Sequence, residues 1–329
     1  MDRRHRQDGT EGVGSPRPLS GWIVVDKPLG LGSTQAVGAV KRLLREAGEP
    51  RTRVGHGGTL DPLASGVLPV ALGEATKLAG RLLDATKAYD FTIRFGEETD
   101  TLDAEGQAIA TSAARPTLEQ IEAVLPRFTG EIEQVPPAFS ALKIGGKAAY
   151  ARARAGEDVE LKPRQATIHE LHLRHPRESG GPASPKEQRD SRFHGNDEVM
   201  LWCQVSKGTY IRSLARDIAR ALGTVGHVSY LRRTRAGPFG LDRAVSLDFL
   251  AQLAKARQLT RAVLPLQAAL DDIPALPVTP DQAQLLRHGQ RLSGLPAPPG
   301  LCMATLEGTP VALVEAAADG LKVVRGFNL

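Results

Sequence analysis

The run from Gly55 to Pro69 constrains this chain more than any other segment. It reads Gly-His-Gly-Gly-Thr-Leu-Asp-Pro-Leu-Ala-Ser-Gly-Val-Leu-Pro, and it places one carboxylate, Asp61, in a glycine-rich and otherwise apolar stretch. Glycine permits turns and close backbone approaches, and Pro62 biases Asp61 toward an extended conformation. Such a carboxylate costs free energy unless a cation elsewhere in the fold meets it, and groups held in this way are frequent at functional sites. The alternative is a structural turn, because Asp-Pro and Gly-Gly are also turn signals.

A second segment supplies a candidate cation for Asp61. Residues 206–217 read Ser-Lys-Gly-Thr-Tyr-Ile-Arg-Ser-Leu-Ala-Arg-Asp, and the spacing of apolar residues predicts a strand that runs into a helix. Arg212 falls at the start of that helix, where a cation opposes the helix dipole. A plain surface charge therefore explains Arg212 poorly. An arginine stays charged and offers a forked set of donors, which suits a carboxylate partner.

Together with Leu-Arg-Arg-Thr at 231–234, these segments resemble the motifs of the TruB family of tRNA pseudouridine synthases. The resemblance runs from about Gly21 to Phe249 in the family's order and continues more faintly to the end. It departs mildly from the family pattern at Gly57 and Ser65, where the family more often has threonine.

The resemblance implies roles for three residues in particular. Asp61 would be the essential carboxylate, Arg212 its ion-pair partner, and Tyr89 the residue whose ring stacks on the target base. Without the resemblance, a tyrosine at the start of a strand is more often a core residue.

Five further residues match family positions near the substrate: His56, Tyr210, Leu231, Lys27 and Lys77. Tyr210 and Leu231 match residues that line the nucleotide pocket, and His56 matches one that holds the displaced nucleotide. A general-base or metal-ligand role for His56 is disfavoured because no second ligand is spaced with it. Lys27 and Lys77 are interpreted as phosphate contacts or as supports of the site.

Two basic segments are expected at the RNA surface. Residues 134–164 combine prolines with lysines and arginines, and they resemble the mobile thumb of the family, a flap that closes over phosphates. Arg232, Arg233 and Arg235 form a second cluster. For both segments the alternative is an ordinary solvated surface.

The implied fold is mixed α+β: a pseudouridine synthase fold with a central antiparallel sheet and a cleft, followed by a small C-terminal PUA-like β-barrel domain. We expect a flexible tail over residues 1–20, the catalytic domain over 21–263 and an RNA-binding PUA-like domain over 266–329. The flap is residues 134–164. Residues 176–198 are expected to be a disordered insertion, because loop insertions cost little stability.

Local patterns also predict individual elements. Strands are expected at residues 22–26, 89–95, 169–174, 199–205, 310–315 and 322–325, and the segment around Asp61 is expected to be a loop. Helices are expected after Ser33, over residues 74–84, after Thr117 and after Thr279. The last two carry capping boxes with Gln120 and Gln282.

Composition narrows the class of protein. The chain of 329 residues is 41% hydrophobic and 24% charged, as in ordinary globular proteins, and its formal charge of +5 suits a polyanionic partner. Two cysteines without metal-type spacing favour a reducing cytoplasm. We expect no membrane span and no secretory signal, and no Rossmann or P-loop glycine motif is present.

The function implied by the resemblance is isomerisation of uridine to pseudouridine at position 55, in the TΨC loop of tRNA. The T arm of tRNA is the expected partner, and the resemblance implies a monomer that needs neither cofactor nor metal nor an obligate protein partner. Two other classes stay open: an RNA chaperone that remodels tRNA without chemistry, and another carboxylate enzyme such as an RNA N-glycosidase.

Overall fold

The computed structural model describes residues 18–140, 142–144, 147–149, 152, 155, 157, 161–174 and 197–329. The expected tail and the expected insertion lie almost entirely outside these residues, as does part of the flap. None of the helices described is long and apolar enough to cross a membrane.

A nine-stranded sheet organises the first 240 residues. Its strands are β1 (Gly21–Lys27), β2 (Val54–His56), β3 (Ala64–Leu72), β4 (Lys87–Phe95), β7 (Gly130–Gln134), β10 (Arg164–Leu173), β11 (Glu198–Val205), β12 (Gly226–Ala236) and β13 (Phe239–Gly240). The order is β1-β3-β12-β4-β11-β10-β7, with β2 beside β3 and β13 beside β12. Every pair is antiparallel except β3 with β12. The predicted antiparallel sheet is thus confirmed apart from that one parallel pair.

Two short hairpins lie beside this sheet. They are β5 (Glu97–Thr99) with β6 (Ala108–Thr111), and β8 (Lys143–Ile144) with β9 (Lys147–Ala148). The second hairpin belongs to the expected flap.

The helices bounded within the described residues are short, and each buries at least one apolar residue. They are α1 (Ser33–Glu46), α2 (Ala79–Asp84), α3 (Leu118–Val124), α4 (Ile211–Ala221), α5 (Leu247–Lys255) and α6 (Pro280–Arg287). The capping boxes at Thr117 and Thr279 are formed as predicted. The predicted helix over residues 74–84 is partly wrong, because its first half is a 3-10 helix, Gly73–Leu78, that precedes α2.

The last part of the chain forms a smaller unit around α6. Its sheet has the order β14 (Ala275–Pro277), β15 (Gly300–Leu306), β16 (Thr309–Ala317) and β17 (Gly320–Gly326). The pairing of β14 with β15 is parallel, and the other two pairings are antiparallel. The expected small C-terminal domain is therefore present, and its described residues form a four-stranded sheet.

Alternate residues of β1 serve two different cores. Ile23 and Val25 pack with α1, α4 and α5 on one face of the large sheet. Trp22 and Val24 face the other side, where they join a cluster that includes Phe327 of the C-terminal unit. The indole nitrogen of Trp22 also donates to the carbonyl of Leu266 at 3.0 Å. The two units of the chain therefore share one hydrophobic core.

Strand β3 was missed in the sequence because it lacks alternation and contains glycine and proline. Eight of its nine residues are buried, which hides the period-2 pattern of a half-exposed strand. At Gly66 the backbone has φ of +98°, and a Cβ atom there would lie 2.2 Å from the carbonyl oxygen of Arg233. Glycine therefore allows the close parallel approach of β3 to β12.

Candidate active site

The loop that carries Asp61 connects β2 to β3 and is held by the turn between β1 and α1. The hydroxyl of Ser33 donates to the carbonyl of Leu60 at 2.9 Å and accepts from its N–H at 2.8 Å. The N–H of Gly30 donates to the carbonyl of Pro62 at 2.8 Å. These bonds fix the backbone on both sides of Asp61, while its side chain stays 40% exposed.

Arg212 meets this carboxylate from the first turn of α4. Its Nη2 lies 2.8 Å from Oδ2 of Asp61, and its side chain is only 7% exposed. The same guanidinium donates to the carbonyls of Thr101 and Phe139, each at 2.8 Å. The structure thus brings together the anion and the cation that the sequence placed 151 residues apart.

A second carboxylate, Asp103, completes the environment of Arg212. Its Oδ2 lies 3.2 Å from Nη1 of Arg212, and its side chain is 9% exposed. Its Oδ1 accepts from the hydroxyl of Thr101 at 2.5 Å and from the N–H of Glu105 at 3.1 Å. Arg212 is therefore held between a fixed, buried carboxylate and a more exposed one. Asp103 was not predicted from the sequence, because its turn-rich surroundings are typical of an ordinary loop.

Asp61 and Arg212 open into a cleft of about 360 Å³, a size suited to a small planar group. Tyr89, Tyr210 and Leu231 also line it, as predicted from the motifs. Backbone contacts position Tyr210, since its N–H donates to Oε1 of Gln134 and its carbonyl accepts from Nε2.

Tyr89 lies on β4 with its ring on the cleft side of the sheet. Burial raises the pKa of its hydroxyl, and the nearby charge of Arg233 opposes that shift. The phenol is therefore neutral at ordinary pH, and it offers an aromatic face with a polar edge.

Arg233 is a buried structural residue, so its expected place at the RNA surface is wrong. The residue is 1% exposed. Its guanidinium donates to the carbonyls of Val67, Thr59 and Gly58 at 2.7, 3.2 and 3.2 Å. Its neighbour Arg235 is exposed, as expected. Arg233 thus supports the glycine-rich segment from behind.

Lys27 is also buried rather than placed to meet a phosphate. It is 0% exposed, and its ammonium donates to the carbonyls of Pro28, Leu31 and Pro62. Burial lowers its pKa to about 8, although the charge of Asp61 acts in the opposite direction. Of the two roles considered for Lys27, the geometry fits the support of the Asp61 loop.

Lys77 is not brought into the cleft. Its ammonium lies 2.7 Å from Oε2 of Glu74 and 2.9 Å from the carbonyl of Gly326 in the C-terminal unit. The same oxygen of Glu74 accepts from the N–H of Asn328 at 2.8 Å. These contacts place Lys77 at the junction of the two units.

His56 ends β2 beside the glycine-rich segment, and it does not line the cleft. Burial lowers the pKa of its imidazole, and the charge of Arg233 adds to that shift. The packing at the next residue, Gly57, explains why glycine stands where the family more often has threonine. A Cβ atom there would lie 2.7 Å from side-chain atoms of Leu82, so α2 packs directly on the backbone at this point.

Two more residues of the cleft were missed in the sequence. Lys87 and Leu83 both line it. The spacing of Lys87 and Tyr89, two residues apart on one strand, is the signal that could have identified Lys87. Among the described residues, no group of three or more His, Cys, Asp or Glu side chains is placed to hold a metal ion.

Comparison with known families now identifies this arrangement. A model described as "TruB family pseudouridylate synthase (N terminal domain)" matches residues 41–211, and one described as "tRNA pseudouridylate synthase B C-terminal domain" matches residues 212–271. The chain belongs to the TruB family. The boundary between the two matches falls directly before Arg212, so each contributes one member of the central ion pair.

Relatives within the TruB family resemble the chain over nearly its full length. The tRNA pseudouridine synthase B of Zymomonas mobilis is 56% identical over 310 residues, which cover 94% of this chain and 96% of the relative. The protein of the same name from Novosphingobium aromaticivorans is 56% identical over 311 residues, covering 94% and 98%.

Solved structures agree with the TruB assignment at the level of the fold. An archaeal box H/ACA sRNP Nop10-Cbf5 complex contains a chain with a TM-score of 0.65 and 25% identity, covering 94% of this chain and 86% of that one. A Cbf5-Nop10-Gar1 complex gives a TM-score of 0.67 at 26% identity, covering 93% and 84%. The predicted pseudouridine synthase fold is confirmed.

Proposed function

We propose that the protein isomerises uridine to pseudouridine at position 55 of tRNA, in the TΨC loop, with Asp61 as the essential carboxylate. The observation that carries the proposal is the ion pair of Asp61 with Arg212 in a cleft that Tyr89 also lines. The names of the relatives supply the substrate, tRNA, and the reaction class.

The reaction requires little beyond this set of groups. The bond between C1′ and N1 breaks, the uracil turns, a bond forms from C1′ to C5, and the proton of C5 is lost while N1 gains one. The target nucleotide must first leave its stack to reach the cleft. Arg212 holds the carboxylate of Asp61 in place, because its Nη2 lies 2.8 Å from Oδ2.

Asp61 can act on the substrate by three routes. Its carboxylate attacks C1′, attacks C6 of the base, or removes a proton from the ribose. Each route needs the same ionised group near the ribose and the base. Tyr89, Tyr210 and Leu231 would hold the detached base between them while it turns.

The remaining parts of the chain are assigned on the same basis. We propose that residues 21–263 are the catalytic domain, with residues 134–164 as a flap over the T arm, and that residues 266–329 are a PUA-like RNA-binding domain. His56 would hold the displaced nucleotide. We further propose a monomer without an obligate protein partner that acts in the cytoplasm. Buried, unpaired Cys203 and Cys302 agree with a reducing compartment.

Tritium release from tRNA transcripts labelled at C5 of uridine tests the proposal. The wild-type protein should release label and leave the base attached to the RNA, whereas Asp61→Asn should release none. A transcript with cytidine at position 55 should also release none. Release of free uracil would indicate an N-glycosidase, and RNA remodelling without release would indicate a chaperone.

A further inference from the structure

Lys87 is a buried cation that lines the cleft, and the functions assigned so far do not use it. It begins β4, and because side chains alternate along a strand, it faces the same side of the sheet as Tyr89. It lines the cleft and is 7% exposed. A charged side chain at such depth needs a reason, since lysine is almost never buried without a partner.

The contacts of Lys87 leave part of its ammonium unused. Its Nζ donates to the carbonyls of Leu83 and Ala85, both at 2.6 Å. An ammonium has three protons to donate. Within the part of the chain that the structure describes, one proton therefore remains for a ligand in the cleft.

The charges around Lys87 do not balance it. Arg233, which is itself buried, adds a second positive charge on this side of the cleft. Asp84 acts in the opposite direction, but its side chain is 67% exposed and already pairs with Lys207 at 2.9 Å. Burial, with a further contribution from Arg233, lowers the pKa of Lys87 to about 8. Lys87 is thus a cation at neutral pH without a buried carboxylate facing it among the described residues.

The buried charge around the whole cleft is also unequal. Among the described residues that line the cleft, three side chains are cationic and one is a carboxylate; the cations are Lys87, Arg212 and Arg233, and the carboxylate is Asp61. That carboxylate already pairs with Arg212, which also pairs with Asp103 behind it. A site with this excess of positive charge is prepared for an anion that arrives with the substrate or forms from it.

We propose that Lys87 donates a hydrogen bond to a carbonyl oxygen of the extruded uracil and stabilises the negative charge that the base acquires during the reaction. This inference rests on the proposed function. Lys87 lies two residues before Tyr89 on β4, and both residues line the cleft, so a donor on Lys87 is close to the ring on which the base would stack.

The charge that Lys87 would stabilise arises by each of the three routes. When the C1′–N1 bond breaks, its electron pair goes to N1, and the charge spreads to O2 and O4 of the uracil. When Asp61 adds to C6 instead, the electron pair of the C5–C6 double bond moves toward O4. Transfer of the C5 proton to solvent and protonation of N1 later restore a neutral base; in the addition route, loss of that proton also expels Asp61 from C6 and re-forms the C5–C6 double bond. One donor at an exocyclic oxygen therefore serves all three routes.

The alternative to this proposal is a purely structural role for Lys87. Leu83 and Ala85 lie at the end of α2, and a lysine near helix carbonyls can simply cap them. Capping requires donors but no charge, so glutamine can replace lysine in that role. The two readings therefore differ in what Lys87→Gln does to the chemical step.

The test compares Lys87→Gln and Lys87→Arg in single-turnover reactions at saturating tRNA. Lys87→Gln should lower the rate on the order of 10²–10³-fold, as removal of an oxyanion donor does, with tRNA affinity and melting temperature near those of the wild type. Lys207→Gln is the matched control, since it removes an exposed lysine charge between Ser206 and Gly208, which both line the cleft. It should change the affinity for tRNA but not the rate.

The pH profile of kcat/KM is a second measurement, and it would not depend on Lys87 if that residue only capped α2. The wild-type rate should fall above about pH 8, where Lys87 loses its proton. Lys87→Gln should lack this fall, and in Lys87→Arg it should move above pH 10, because a guanidinium stays charged. If Lys87→Gln folds poorly, the comparison of the pH profiles of the wild type and Lys87→Arg still tests the proposal.

Either of two results would overturn the proposal. One is a Lys87→Gln rate within about threefold of the wild type, and the other is a fall near pH 8 of the same size in the wild type, Lys87→Gln and Lys87→Arg, which would assign that fall to another group such as Lys27. If Asp61→Asn is inactive while Lys87→Gln is fully active, the proposed function stands and only the role of Lys87 fails. Full activity of Asp61→Asn would instead remove the proposed function.

Discussion

Nη2 of Arg212 lies 2.8 Å from Oδ2 of Asp61, while Nη1 of the same side chain lies 3.2 Å from Oδ2 of Asp103. The guanidinium therefore bridges two carboxylates through its two terminal nitrogens. One carboxylate is buried and fixed by its own hydrogen bonds, and the other faces the cleft. The position of Asp61 depends on a partner that is itself oriented from behind.

Asp103→Asn should lower kcat on the order of 10²-fold with little change in KM. The amide removes the charge that orients Arg212, and small displacements of reacting groups cost about this much. Single-turnover pseudouridine formation measures the effect. Glu105→Gln keeps the backbone N–H that binds Asp103 and serves as the control. A normal rate in Asp103→Asn would show that Arg212 is held without it.

Tyr89→Leu should reduce kcat/KM about 10–100-fold, whereas Tyr89→Phe should retain most of tRNA binding. A base stacked on an aromatic ring gains about 1–3 kcal/mol, and phenylalanine keeps the ring. Steady-state kinetics with the T-arm stem-loop measures both variants. Equal losses of binding in the two variants would mean that the hydroxyl, rather than the ring, holds the base.

Arg233→Met should destabilise the fold by about 3 kcal/mol, because it leaves buried carbonyls without their donor. Arg235→Met, two residues along the same strand and exposed, should stay within about 0.5 kcal/mol. Urea unfolding monitored by tryptophan fluorescence compares the free energies of unfolding. Similar values for the two variants would contradict the structural role given to Arg233.

Lys27 predicts a dependence of stability on pH with a definite sign. Its folded pKa of about 8 lies below its ordinary value of 10.5, because burial disfavours the charged form. Between pH 8 and pH 10 the unfolded chain therefore binds more protons at this residue than the folded chain does. Stability contributed by Lys27 must rise with pH over this window.

Relative to Lys27→Met, the wild type should gain about 2 kcal/mol of unfolding free energy between pH 8 and pH 10. Denaturant titrations of both proteins at each pH give the difference directly, and shared titrations of other groups cancel. A difference that stays flat or falls over this range would be inconsistent with a buried ammonium at Lys27.

Phe327→Ala should destabilise the entire chain by about 3–5 kcal/mol, because it leaves a cavity in the core shared by the two units. The matched control is Val324→Ala, at a position that is 52% exposed, where the change should be within about 0.5 kcal/mol. Calorimetry should show one transition for both units in the wild type. Two separate transitions, only one of them moved by Phe327→Ala, would refute the shared core.

Local sequence signals predicted the elements whose patterns are complete within a few residues. The capping boxes at Thr117 and Thr279 formed as written, because each is decided by side chains three residues apart. Strand β3 was not predicted, because full burial removes alternation and its proline and glycine argue against a central strand. Its place depends on neighbours distant in the chain.

The site was predictable where motif and geometry coincide. The positions of Asp61 and Arg212 followed from two short motifs, and the structure joins them. Arg233 was wrongly expected at the RNA surface, because neither its residue type nor its sequence neighbours reveal that its side chain is buried. Asp103 was missed for a similar reason, as a partner supplied by a loop has no periodic signature. Burial of a charge is a property of the tertiary fold.

The hydrophobic core that contains both Trp22 and Phe327 has a consequence for synthesis of the protein. A ribosome completes β1 about 300 residues before it reaches Phe327, and chains fold from the N-terminal side during translation. The catalytic unit is synthesised first, and the side of its sheet that carries Trp22 and Val24 therefore stays partly exposed until Phe327 is synthesised and packs against it. Nascent chains halted before residue 327 should accordingly be the ones that chaperones retain.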